Sequence, residues 1–493
     1  MEEIKKNENP AAADQVIVKL QNATVLFRGR IVFSNLNLEI RKNQHIAVLG
    51  KTGTGKSALL QTLAGHCRIS EGRLLHFPPG RKLAVYLDVR HDFKPLAGAG
   101  NFFYQQRFNA GYADSSPVVE DFLNQKAAMC PPDTPWSLSD LYDQFNLESV
   151  RHRHLIKLSS GEAKRLRIAA ALLENPLLLL IDSPFAGLDD KSRSMLENIF
   201  AKIAQAGTSI ITATNYDQIP KITTHIACLD SDQKPDLLPI ESFNQKPEAV
   251  NLKPEVKFDV QVIENLTDHG PRENFSLLVS MNNINVAYGK NKILENISWQ
   301  IRQGEHWALS GPNGSGKSTL LSLINGDHPQ AYANDIILFD RRRGTGESIW
   351  DIKKKIGYMS PELFQYFPGR YSCLQVVESG FSDTLGMVLK KNKQHRDIAE
   401  NWMKVMGLCR IKDHIFSTLP AGFQRMCLLA RAVVKNPYLL LLDEPCQGLE
   451  RDQQLIFRQL IDTMAQASDI TIVYVTHQTG ELPDCIKKTI SLG

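Results

Sequence analysis

GPNGSGKST, from Gly311 to Thr319, is the stretch that decides the fold. Its residues Gly311, Pro312, Asn313, Gly314, Ser315, Gly316, Lys317, Ser318 and Thr319 satisfy the phosphate-binding pattern G-x-x-x-x-G-K-[ST] at every position. Glycines in such a strand-to-helix turn let backbone N–H groups approach phosphate oxygens. Lys317 then reaches the β and γ phosphates, and the Ser318 hydroxyl is placed to hold Mg²⁺. The helix that follows adds the positive end of its dipole.

The loop occurs twice. Gly50, Lys51, Thr52, Gly53, Thr54, Gly55, Lys56 and Ser57 read GKTGTGKS, and Lys56 lies 261 positions before Lys317 (317 − 56). Asp182 and Asp443 end the apolar runs LLLLID and LLLLLD at the same offset, and Gly161 and Gly422 repeat it. A register kept over phosphate loop, glycine and acidic strand end identifies an internal duplication. The fold class is therefore α/β, two tandem P-loop NTPase cassettes, each with a helical insert.

Composition agrees with two ordinary globular domains. The chain has 493 residues, 43% hydrophobic and 22% charged, with a formal net charge of +4. No apolar run approaches the length of a membrane span, and MEEIKKNENP lacks the apolar core of a signal peptide. These features predict a cytoplasmic protein without an intrinsic span. The charge does not point to a nucleic-acid partner. Arg341, Arg342 and Arg343 read as a solvated loop, and eight cysteines without a C-x-x-C pair read as reduced structural thiols.

Along the chain, 1–14 is expected to be a flexible tail and 15–240 the first cassette. VIVKLQNATVLF and NLNLEI alternate as strands, HIAVLG enters the loop, and a helical insert is expected from Asp92 to Lys157. LLLLID reads as a buried parallel strand that presents Asp182 at its carboxyl end, where open α/β sheets bind ligands. Residues 241–276, rich in Pro, Asn, Lys and Glu, read as a linker in which KFDVQVI is a candidate strand. The second cassette, 277–493, repeats the plan with an insert from Tyr371 to Ser417. Phe27 and Tyr288, again at the common offset, are aromatics placed to stack on an adenine.

LSSGE, Leu158 to Glu162, precedes Asp182 at the spacing that separates Gly422 from Asp443, and it resembles the LSGGQ signature of the ATP-binding-cassette superfamily. Together with the paired phosphate loops and the segments FAGLD and CQGLE, that resemblance covers nearly the whole chain outside tail and linker. The tandem arrangement is similar to the ModF or PhrA group, named as molybdate-transport ATP-binding proteins. The resemblance implies an intramolecular head-to-tail pair of cassettes that binds ATP and Mg²⁺ between the phosphate loop of one and the signature of the other.

On this reading Ser318 and Asp443, and in the first half Ser57 and Asp182, hold the metal. Glu444 is the general base and His477 the switch residue, opposed by Ser159, Ser160, Gly161 and Glu162 in trans. The other site is degenerate: Ser183 stands where Glu444 does, Asn215 at the switch position, and Pro420 in a signature reading LPAGF. The coupling glutamine is not secure, with Gln105 or Gln106 offered in the first half and Ser360, Pro361 and Glu362 standing at its place in the second. The family implies an ATPase that energises permease subunits on separate chains, peripheral at the inner face of the cell membrane, with molybdate or another small ion as cargo. The alternative is a soluble ribosome- or translation-associated ATPase. That group carries a long charged helical linker and two intact glutamates, whereas this linker is short and proline-rich. A DNA-repair role would call for a basic arm or coiled coil.

Overall fold

The computed structural model describes residues 15–27, 29–50, 53–77, 84–88, 117–130, 134–155, 158–186, 188, 190–229, 235–243, 258–267, 272–288, 291–312, 314–360, 363, 367, 369–383, 392–447, 449, 451–476 and 482–492. They fall into two compact units, divided near Ala249. The expected tail and much of the expected first insert lie outside the described residues.

In the first unit β1 (Val16–Phe27) and β2 (Arg30–Arg41) form a long antiparallel hairpin, and β4 (Arg68–His76) pairs on the other side of β1. β1 and β2 interleave buried with exposed or half-buried positions, as one-sided sheets do, whereas β4 has no fully buried residue. The second sheet has the order β5-β6-β7-β3-β8-β9, built from β5 (Ala84–Leu87), β6 (Leu178–Asp182), β7 (Ser209–Ala213), β3 (Ile46–Gly50), β8 (His225–Leu229) and β9 (Asp236–Pro239). All its pairs are parallel except that of β9. Leu178, Leu179, Leu180 and Ile181 are all buried, which is why LLLLID shows no alternation.

Between the sheets runs α1 (Lys56–Leu63), whose Leu59, Leu60 and Leu63 join Val18, Phe33 and Leu180 in one core. On the opposite face α2 (Val119–Ala128), α3 (Leu138–Gln144), α4 (Ser160–Leu173) and α5 (Asp190–Gln205) build a second core around Phe145, Leu166 and Phe200. The described part of the expected insert is thus helical.

The second unit repeats this. One sheet has the order β11-β10-β13-β14, with β10 (Val279–Tyr288), β11 (Asn291–Ile301), β13 (Asp335–Leu338) and β14 (Arg341–Arg342). The parallel sheet runs β15-β16-β17-β12-β18, from β12 (His306–Ser310), β15 (Ile356–Met359), β16 (Leu439–Asp443), β17 (Thr471–Val475) and β18 (Lys488–Ser491). Its helices are α6 (Val260–Thr267), α7 (Lys317–Ile324), α8 (Ile349–Lys355), α9 (Cys373–Glu378), α10 (Lys393–Val405), α11 (Ala421–Val433) and α12 (Arg451–Ala467).

Three readings change. KFDVQVI is not a strand: Val260 opens α6, and Ile263 and Leu266 are buried in the core that holds Trp402 and Phe457. Its apolar residues suit either period over so short a run, and tertiary packing selects the helix. Nor is the Arg341–Arg343 run wholly solvated. Arg341 and Arg342 pair with β13, while the Arg343 guanidinium is buried, bonded to Glu347 at 2.8 Å and stacked over Tyr332. Finally, the end of the expected linker packs on the second unit: Arg272 donates to the Pro437 carbonyl at 2.9 Å, and Lys355 lies 4.4 Å from the Phe275 ring. None of the eight cysteines is in a disulfide.

The helices of the two signature stretches start differently. Ser159 caps α4 in a reciprocal box, its hydroxyl accepting from Glu162 N and the Glu162 carboxylate accepting from Ser159 N. Pro420 begins α11 without any side-chain cap. Ser159→Ala should lower the unfolding free energy of the first cassette by about 1 kcal/mol, read as a shifted denaturant midpoint; an unchanged midpoint would refute the cap. Truncating the fully buried Phe457 of α12 to Ala should cost the second cassette about 3–5 kcal/mol, and a loss under 1 kcal/mol would show that the core closes over the gap.

Candidate functional site

In the second cassette β12 delivers Ser310 into the loop, and Gly311 turns it at φ 145°. A Cβ there would lie 2.3 Å from the Leu492 carbonyl oxygen, so glycine alone fits between the loop and the residue that follows β18. Lys317 follows Gly316 as the first residue of α7, and its ammonium donates to the carbonyls of Gly311 and Pro312 at 2.7 and 2.8 Å. The Ser315 hydroxyl is buried with no partner among the described residues. A loop that holds a cation against its own carbonyls and leaves a donor unmatched is suited to an anion.

Register then brings the acid to the loop. β16 pairs with β17 and β17 with β12, all parallel, so Asp443 arrives beside the loop and accepts from the Ser318 hydroxyl at 3.0 Å. A hydroxyl and a carboxylate oxygen at this distance are a hard-oxygen pair suited to a hydrated Mg²⁺. Glu444, half-buried, follows at φ 43°, with its N–H bonded to the Val475 carbonyl at 3.0 Å. That left-handed turn sends the chain out of the sheet directly after the acid.

Tyr288 ends β10, and its hydroxyl lies 2.7 Å from His328 Nε2. His328 Nδ1 accepts from Gln330 N, so Nε2 carries the proton and donates to Tyr288. Burial pushes the His328 pKa down to about 4, which keeps the ring neutral.

The first cassette has the same frame with different contents. Gly50 turns at φ 151° under the Leu229 carbonyl, Lys56 donates to the Gly50 carbonyl, and Ser57 bonds Asp182. Tyr86 also donates to Asp182, at 3.4 Å. Burial pushes the Asp182 carboxyl above its ordinary range, opposed by the bond from Ser57. Ser183 repeats the left-handed turn at φ 48°, and its hydroxyl donates back to Asp182 Oδ1 at 3.2 Å. A hydroxyl thus stands at the position of the Glu444 carboxylate. Phe27 and Cys67 stand at the positions of Tyr288 and His328.

At the signatures, the Glu162 carboxylate is folded onto Ser159 N and paired with Arg153 at 3.0 Å. That carboxylate is thereby engaged by its own helix start and by Arg153. Gly422 is packed so closely on Gln453 that a Cβ would lie 2.4 Å from its amide. Asn215 follows β7 and opens a short turn, Tyr216–Gln218. His477, Lys51, Thr52, Asn313, Gln105, Gln106, Pro361 and Glu362 lie outside the described residues, as does the side chain of Ser160. Ser360, at the place of the coupling glutamine, is buried at the end of β15. Sequence reasoning missed Tyr86, His328 and Lys164. Burial pushes the Lys164 ammonium down to about 7, and it donates to the carbonyls of Ser183 and Pro184 at 3.4 and 2.9 Å. The duplication offset, applied around the acidic strand end, would have drawn attention to Lys164, because it aligns with Arg425.

Among the described residues no helix is long and apolar enough to cross a membrane. A family model described as ABC transporter matches residues 33–186 and 294–447. The ABC transporter ATP-binding protein ModF of Escherichia coli (strain K12) is 33% identical over 455 residues, 89% of this chain and 89% of its own. An uncharacterized ABC transporter ATP-binding protein of Schizosaccharomyces pombe is 30% identical over 492 residues, 96% of each chain. A chain of the solved structure of ribosome-bound archaeal Pelota and ABCE1 aligns at 19% identity with a TM-score of 0.55, covering 92% of this chain and 73% of that one, a likeness of fold. With both phosphate loops inside matched segments and both halves built alike, this chain belongs to the ABC transporter family as an ATP-binding protein with two cassettes in tandem.

Proposed function

We propose that the second cassette hydrolyses ATP and that the first holds it. The observation that carries this is the contrast at the two strand ends: Glu444 projects beyond Asp443, whereas Ser183 turns its hydroxyl back onto Asp182. In the second cassette the triphosphate takes the place of the Gly311 and Pro312 carbonyls as partner of Lys317, and loop N–H groups bind its oxygens. Ser318 and Asp443, and in the first half Ser57 and Asp182, would hold Mg²⁺, which neutralises charge on the β and γ phosphates. Glu444 orients and deprotonates the attacking water, and His477 contacts the γ-phosphate as the family resemblance implies. Tyr288, held by neutral His328, and Phe27 serve as stacking faces for adenine. By the same resemblance Ser159, Ser160, Gly161 and Glu162 serve the phosphate loop of the other cassette.

Losing a positioned general base costs about 10²–10⁴ in rate. Glu444→Gln should therefore lower ATP turnover at least about a hundred-fold while ATP still binds; a variant keeping most of its rate would remove the assignment.

The output proposed is transport: an energising subunit that acts on permease chains at the inner face of the cell membrane, with molybdate or another small ion as cargo. The relative ModF, named an ABC transporter ATP-binding protein and matched over 89% of both chains, supports this. The Glu444→Gln protein, held closed by uncleaved ATP, should capture integral membrane proteins from a lysate of its source cell. Capture of ribosomal proteins instead would replace transport by a translation-associated output and leave the site chemistry intact.

A further inference from the structure

Gln447 lies three residues beyond Glu444, in the turn that leaves β16, and its Nε2 donates to Glu444 Oε2 at 2.9 Å. The other end of the carboxamide is held as well. Arg425 of α11, almost fully buried, directs Nη2 toward Gln447 Oε1 at 3.5 Å. A guanidinium has only donors, so it can accept no proton from the amide and selects one orientation: oxygen toward Arg425, nitrogen toward the carboxylate. The backbone closes the same turn, with Gln447 N bonded to the Glu444 carbonyl at 3.1 Å.

The first cassette supplies a control within the same chain. Its turn is closed in the same way, Ala186 N to the Ser183 carbonyl at 3.2 Å. There the side chains differ at all three places: Ser183 for Glu444, Ala186 for Gln447 and Lys164 for Arg425. Among the described residues Lys164 contacts no side-chain amide; its ammonium donates to the carbonyls of Ser183, Pro184 and Ala186. The turn therefore forms without a glutamine, and the relay from Arg425 through Gln447 is present only where a carboxylate stands at its end.

We propose that Gln447 is a positioning residue for Glu444, oriented by Arg425. A glutamate side chain has several rotamers of similar energy, and at a strand end only part of its surface is packed. Anchoring Oε2 to a fixed amide selects one of them and so sets the direction in which Oε1 meets a water. The inference rests on the reading of Glu444 as general base.

The test is steady-state ATP turnover of the full chain for Gln447→Met, which keeps the volume without the donor, and Gln447→Ala, which copies the residue the first cassette tolerates. Both should lower kcat about ten-fold, the loss of one hydrogen bond to a charged group expressed as rate, with KM within about two-fold. In the Glu444→Gln background, Gln447→Met should change the residual rate by less than about two-fold, because no anchored base remains to be lost. Wild-type kcat in both single variants overturns the proposal. So does an equal loss in both backgrounds, which would mark Gln447 as a structural residue of the turn. An active Glu444→Gln removes the base assignment and this proposal together, whereas an inactive one beside a fully active Gln447→Met removes this proposal alone.

Discussion

The hydrogen bond from the first residue after the loop lysine to the acidic strand end, Ser318 to Asp443 and Ser57 to Asp182, is the contact around which each cassette's loop and strand ends are arranged. It joins residues 125 apart in sequence, and it forms only if the parallel strands between them are in register. That explains the long, fully buried leucine runs: a parallel strand covered on both faces cannot slip by a residue without taking a carboxylate into the core. The packing energy of LLLLD and LLLID is in this sense what places a carboxylate beside the loop hydroxyl.

Around that shared contact the two halves diverge in a patterned way. The second cassette keeps a carboxylate beyond the strand end, a histidine bonded to its tyrosine and an amide on that carboxylate. The first has a hydroxyl that turns inward, a cysteine and a phenylalanine at the corresponding positions, and a lysine that holds the turn by its backbone. Both turns keep the left-handed residue, at φ 48° and 43°, so the scaffold is retained while the groups it presents have changed. Polar partners are kept where there is a polar group to position. Elsewhere, burial and backbone contacts take over the same space.

The signature helices show how a local rule can serve two ends. Ser159 and Glu162 form a capping box, so the glutamate that departs from the family's glutamine satisfies the N–H of Ser159, and Arg153 offsets its charge. Capping is one use of its place. Ser159 accepts through its oxygen and still has a proton to donate, which a proline at the same place of α11 does not.

Much of this was legible in the sequence. The phosphate loops, the acidic strand ends, the duplication and the alternation of β1 and β2 follow from spacing and periodicity, because glycine, lysine and buried leucine runs have few other uses in that order. The helical nature of the inserts could be read as well. What tertiary structure decided was everything set by neighbours distant in the chain. Val260–Thr267 became a helix because its apolar residues meet the Trp402 core; Arg343 became buried because Glu347 and Tyr332 receive it. The Ser183 hydroxyl came to donate to Asp182, and Gln447 to be the partner of Glu444. Sequence pattern reports which residue types a backbone path requires, whereas the direction of a hydroxyl or an amide is chosen by the donors and acceptors that folding brings to it.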